Sequence, residues 1–254
     1  PLLELPSDRP RSSVKTFRGA RHYISLPENL LNSLRILAQR EKATLFMVLL
    51  AAFKTLIYRY TGQDEIAVGF PIASRDRVET ENIIGVFINP LVLRSDLSGQ
   101  PKFRQLLGKV REMALSAYSN QNLPFEKLVK ALQPNRDISH PPLFQVLFDY
   151  NNVPMPQIVL PDLNVSRVDL DAGTAKFDLS LELAESKNEI RGFFEYSTDL
   201  FTEGMIGRMS QHFQCLLEAI VADPDRRVSH LPLMTDAELD KILVEWNATQ
   251  EPLG

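Results

Sequence analysis

The stretch TLFMVLLAAFKTLIYRYTGQDEIAVGFPIA, residues 44–73, decides the fold class. Residues 45–60 are apolar nearly all round, which predicts a helix buried on most of its sides. Thr44 is placed to cap its start, and Thr61-Gly62 marks its end. Residues 65–73 then turn rich in Val, Ile and Phe, the composition of a strand.

The same alternation extends in both directions. Upstream, residues 1–11 hold three prolines and read as a linker or extended arm. Residues 21–26 form a strand candidate. From Pro27 a helix is expected to about Lys42, with Leu30, Leu31, Leu34 and Leu37 on one face. Downstream, a charged loop (74–82) leads to a second strand-like run, 83–93. A helix over 101–119 and a shorter one over 124–132 follow, the latter with Phe125, Leu128, Val129 and Leu132 on one face. Residues 143–150 suggest a strand, 151–161 a crossing loop and 163–170 another strand. Residues 176–184 and 190–196 alternate as a hairpin, and the last long helix is expected over 202–222. Thr235 and Glu238 then form a capping-box pattern opening a short helix to Trp246. Helices interleaved with strands, plus one late hairpin, predict an α/β domain with a mixed β-sheet flanked by helices.

Composition narrows the function. The 254 residues are 44% apolar and 24% charged with a net charge of −4, which argues against a nucleic-acid binder. The pairs Arg75/Arg77 and Arg226/Arg227 have carboxylates nearby and read as solvated surface charge. Cys215 is the single cysteine, in an apolar helical pattern, and reads as a small buried hydrophobe that suits a reducing cytoplasm. The opening residues do not form a signal peptide. No two of His22, His140, His212 and His230 are adjacent or four apart, and no HExxH, GxSxG, P-loop or GxGxxG occurs. His212 reads as a surface or packing residue and His230 as part of a turn; His140 alone sits in a distinctive segment. The acidic residues Asp76, Glu79 and Glu81 read as a solvated loop, and nothing marks a metal site.

Three further segments combine apolar residues with Gly, Pro, Asn or an acid–base pair: IGVFINPLVLR (84–94), NQNLPFE (120–126) and RDISHPPLF (136–144). In the first, Gly85 permits close backbone approach, and Asn89 among apolar neighbours either braces a loop or lines a polar cleft. In the second, Pro124 suits a helix start, with Glu126 near the positive helix end. In the third, Arg136 and Asp137 offer a charge pair before two prolines lead into a strand.

In that order the segments resemble the last three motifs of condensation domains of nonribosomal peptide synthetases. Ile84, Gly85, Phe87, Asn89 and Arg94 match (I/V)GxFVNTxxxR. Gln121, Pro124, Phe125 and Glu126 match HQDxPFE. Arg136, Asp137, Ser139, Pro142, Leu143, Phe144 and Gln145 match RDxSRNPLFQ. Residues 44–75, TAKFDLSL and the closing LPLMTDAELDKILVEWNATQ are similar to the same family, the last to a linker towards an adenylation domain. Pro90 stands where Thr is usual, Asn122 where Asp is, and His140-Pro141 where Arg-Asn is. The family's HHxxxDG signature does not occur in this sequence.

The resemblance implies the C-terminal of two chloramphenicol-acetyltransferase-like lobes: an interlobe linker over 1–20, the lobe over 21–230, and a linker towards an adenylation domain over 231–254. It implies peptide-bond formation between thioesters delivered on phosphopantetheine arms of upstream and downstream carrier proteins, with no cofactor bound directly. It leaves this piece without a catalytic residue of its own and inactive alone. Asn89, Phe87 and Arg75 become candidates near the reaction tunnel, with Arg75 expected to meet a carboxylate across the lobe interface. Expected partners are the N-terminal lobe, the carrier proteins and the adenylation domain, and the piece alone is expected to self-associate. A non-catalytic module that recruits carrier proteins is the alternative. A free-standing coenzyme A acyltransferase is disfavoured by the missing histidines.

Overall fold

The computed structural model describes residues 2–73, 75, 78–81, 83–133, 140–152, 163, 165, 168, 170–185 and 189–248. Strand β1 (Gly19–Leu26) is followed by helices α1 (Glu28–Arg40) and α2 (Leu45–Thr61), then β2 (Glu65–Ala73). A one-turn helix α3 (Val78–Glu81) precedes β3 (Ile88–Asp96), α4 (Phe103–Ser119) and α5 (Phe125–Leu132). Strands β4 (Val146–Asn151), β5 (Leu179–Glu185) and β6 (Ile190–Ser197) lead to α6 (Glu203–Ala222). The short α7 (Asp236–Asp240) continues into one wider turn, Lys241–Glu245.

Among the described residues the strands form one sheet in the order β1-β6-β5-β4-β2-β3. β4 runs parallel to β2 and β5, and the other pairs are antiparallel. This is the mixed sheet that the sequence suggests. Helix α2 owes its place to its composition. Residues 47–57 are all buried, Thr44 Oγ1 accepts from Met47 N, and Gly62 ends the helix at φ 68°. It packs against α1, α4, α6 and the sheet. Around Phe53, the rings of Phe148, Phe194 and Phe213 lie 5.7–6.4 Å away between centroids.

Helices cover one sheet face. The other carries Arg21, Asp149, Glu182, Phe193 and Glu195, set there by the strand register. Phe144 covers part of it. Its ring lies so close over β2 that a Cβ on Gly69 would collide with it, so only glycine fits there.

Three expectations need correction. The second strand begins at Ile88, not near Ile83. Pro124 is the residue before α5 rather than its first helical residue. Of the expected strand over 163–170, the described residues belong to no strand of the sheet. The residues of 153–162 and 186–188 lie outside the described ones.

The arm is docked, not loose. Leu3 is buried, and its backbone N–H and C=O both pair with the Gln145 side-chain amide, at 2.6 and 2.9 Å. Gln63 does the same for its neighbours, accepting from Glu4 N and donating to Leu2 O. Arg11 forms an ion pair with the fully buried Asp178.

Candidate functional site

Three side chains bring the conspicuous segments together. Asn89, near the start of β3, donates from Nδ2 to the carbonyls of Gln121 and Leu123, both at 2.9 Å. Its Oδ1 accepts from Phe125 N at 3.0 Å. The residue before α5 is Pro124, which has no side-chain oxygen to cap the helix, so Asn89 supplies the cap from another element. Asn89 therefore braces a loop, the first of its two readings. Phe125 then meets Phe144 edge-on, with ring centroids 5.8 Å apart, and Phe144 stacks on Phe177 at 5.1 Å. All three segments converge through Asn89, Phe125 and Phe144.

Arg75 organises the neighbouring loop. Its guanidinium donates to the carbonyls of Thr80, Ile83 (2.9 Å) and Gly85 (3.1 Å) and lies 4.2 Å from the centre of the Phe87 ring. Carbonyls turned onto Arg75 are not available for a ladder with β2, which explains the late start of β3. The guanidinium is held by backbone of its own loop. The wrapped loop pushes its apolar residues outward: Ile84 is 101% exposed, Val86 88% and Ile88 63%.

The remaining candidates are more modest. Gly85 supplies one of the carbonyls to Arg75. Arg94 pairs with Glu65 across β2 and β3, both exposed, a contact worth little in stability. Pro124 is exposed, and Glu126 lies in the first turn of α5, where the helix dipole favours an acid. Arg136, Asp137 and Ser139 lie outside the described residues.

Several working residues gave a weak signal or none. Gln145 and Asp178 stand within matched patterns yet bind the arm. Lys54, fully buried in α2, donates to Leu93 O and Ser95 Oγ at 2.7 Å, and burial lowers its pKa to about 7. His212 is not simply a surface or packing residue: Nδ1 meets Tyr60 Oη at 2.7 Å and Nε2 meets the Glu238 carboxylate at 3.0 Å. That carboxylate also closes the capping box with Thr235. Burial pushes the Tyr60 hydroxyl up to about 12. Cys215 is half-buried rather than buried, and desolvation raises its pKa, which keeps it a thiol. Among the described residues no group of three or more His, Cys, Asp or Glu could hold a metal ion, and no single helix is long and apolar enough to cross a membrane.

Comparison with known proteins gives this arrangement a context. A linear gramicidin synthase of Brevibacillus parabrevis is 51% identical over 251 residues, 98% of this chain but 5% of that protein. The crystal structure of holo-AB3403, a four-domain nonribosomal peptide synthetase bound to AMP and glycine, superimposes with a TM-score of 0.86. It is 25% identical, over 93% of this chain and 19% of that one. The X-domain in complex with OxyB, from teicoplanin biosynthesis, gives a TM-score of 0.85 at 26% identity. There the match covers 92% of this chain and 52% of the other. The chain thus spans only a small part of the synthase it matches, and about half of the X-domain. The family model described as the condensation domain matches residues 1–243, and the chain belongs to the condensation domain family.

Proposed function

We propose that this chain is the C-terminal lobe of a condensation domain that joins two carrier-bound aminoacyl or peptidyl thioesters. The acceptor amine attacks the donor thioester carbonyl; a C–N bond forms, the C–S bond breaks, and the donor's carrier thiol leaves as the amine loses a proton. Holding the two reactants in line supplies much of the rate. A histidine base belongs to the HHxxxDG signature, which this sequence lacks, so the lobe alone is inactive. The observation that carries the reading is the convergence of the three segments through Asn89, Phe125 and Phe144. The outward apolar residues of the Arg75-wrapped loop support it, since surface of that kind marks a contact with another protein body.

In this reading Asn89 and Arg75 are positioning residues. They hold the loops over residues 121–125 and 80–87 that form a wall and floor of the tunnel between lobes, with Phe87 beside it. The carrier proteins approach on their phosphopantetheine arms from either end, the adenylation domain follows residue 231 onward, and the setting is cytoplasmic.

Mixing this lobe with its N-terminal lobe and two loaded carrier proteins tests the function directly. Dipeptide is expected from the mixture and not from the lobe alone. Absence of product with both lobes folded and associated rejects the enzyme reading. A second reading, a recruiting module without turnover, is favoured by the similarity to the X-domain, whose structure contains OxyB. Carrier binding without dipeptide supports that module instead.

A further inference from the structure

A cavity of about 300 Å³ opens where the parallel strands β2, β4 and β5 end, against the start of α2. Open α/β sheets bind ligands at that end of their strands. Its floor is aromatic: Phe46 lies 5.5 Å from Phe70 and 5.7 Å from Phe148 between ring centroids, and Tyr118 meets Phe70 edge-on at 5.9 Å. It shares walls with the braced site. Ile72, at its edge, pairs with Asn89 across β2 and β3, and Tyr118 lies in the last turn of the helix leading to the loop that Asn89 holds. The rim carboxylate of Glu185 already accepts from Arg35 and from Tyr150.

We propose that this cavity is a specificity subsite receiving the uncharged, apolar side chain of one of the two aminoacyl thioesters. The inference rests on the peptide-bond function above. Size favours one side chain over a peptide, because small-molecule pockets start at roughly 300 Å³. Chemistry favours an apolar group. The aromatic floor offers no partner to a charge. Of the two carboxylates in the lining, Glu185 is engaged by Arg35 and Tyr150, and Asp149 belongs to the sheet face away from the helices, where burial raises its pKa towards the neutral acid.

The test uses the complete two-lobed domain with two substrate series. One varies the acceptor from glycyl through leucyl and phenylalanyl to tryptophanyl with the donor fixed; the other varies the donor over the same range. Ile72→Phe narrows the cavity and Phe46→Ala deepens it, with thermal unfolding confirming that each variant folds. In one of the two series, Ile72→Phe is expected to lower kcat/KM for the leucyl and phenylalanyl substrates about tenfold relative to glycyl. Phe46→Ala is expected to shift preference towards tryptophanyl in that same series. The series that responds identifies the acceptor or the donor as the occupant. Should Phe46→Ala fail to fold, Ile72→Phe decides alone. Equal changes for every substrate in both series, or none, overturn the subsite while leaving the function standing. No dipeptide from the unaltered domain overturns the function itself.

Discussion

Asn89 uses its whole amide on three backbone partners, and this makes its replacement informative. Asn89→Ala leaves the start of α5 uncapped and two carbonyls short of a donor; a loss of about 1–3 kcal/mol in urea unfolding is expected. Asn89→Asp is expected to be no better, because a carboxylate donates to neither Gln121 O nor Leu123 O. Equal stability of Asn89→Asp and the unaltered chain rules out the brace. Lys54 makes a different prediction. Both of its acceptors are neutral, and its folded pKa of about 7 lies below the usual 10.5. Between those values the unfolded chain binds more protons, so stability rises with pH from about 7 to 10.5. Lys54→Met is expected to flatten that slope in unfolding measured across the window; an unchanged slope rejects the assignment. In the sequence Lys54 shows only as a break in an apolar run, because its acceptors lie on a strand 39 and 41 residues away. Asn89 was legible as a buried amide in need of partners. Which partners depended on a loop 32 residues along the chain.

At the scale of elements, the most legible feature was α2: cap, apolar circumference and left-handed Gly62 each act on residues close to them in the chain. The start of β3 was not legible, because residues 83–87 have strand composition and it is Arg75, outside that run, that turns the carbonyls of Ile83 and Gly85 away. The proline-rich arm looked like a linker for a similar reason. Its extended backbone is held by Gln63 and Gln145, side chains that imitate a neighbouring strand. Gln145→Leu keeps comparable bulk and removes both bonds to Leu3. It leaves the Leu3 N–H and C=O buried without their partners, at a cost of about 1–3 kcal/mol. The arm is expected to open before the rest of the lobe, so limited proteolysis should cut residues 2–11 faster in Gln145→Leu than in the unaltered chain. Equal cutting rates mean that Asp178 and Arg11 hold the arm without Gln145.

For the whole molecule, the long helices α1, α2, α4 and α6 lie on one side of the sheet, and apolar side chains gather at one edge outside that core. Ile83, Ile84, Val86 and Ile88 stand out from the Arg75-wrapped loop, with Leu123 and Leu132 also exposed. None is needed to fill the core, whose large side chains are already enclosed. Isolated exposed apolar residues are ordinary, but four within six residues beside a loop held by one guanidinium concentrate apolar surface in one place. In the two-lobed reading the other lobe covers it. Without that lobe, two copies of the chain are expected to cover it for each other. The contact would be weak, because residues of one loop bury less than the roughly 1,200 Å² usual for a stable pair. Sedimentation velocity should therefore show mass that rises with concentration, and Ile84→Ser combined with Val86→Ser should return it to a monomer without lowering the melting temperature. Adding the N-terminal lobe should abolish self-association as well, since both partners compete for one patch. A chain that stays monomeric at the highest soluble concentration, or a double variant that still associates, places the lobe contact on another surface.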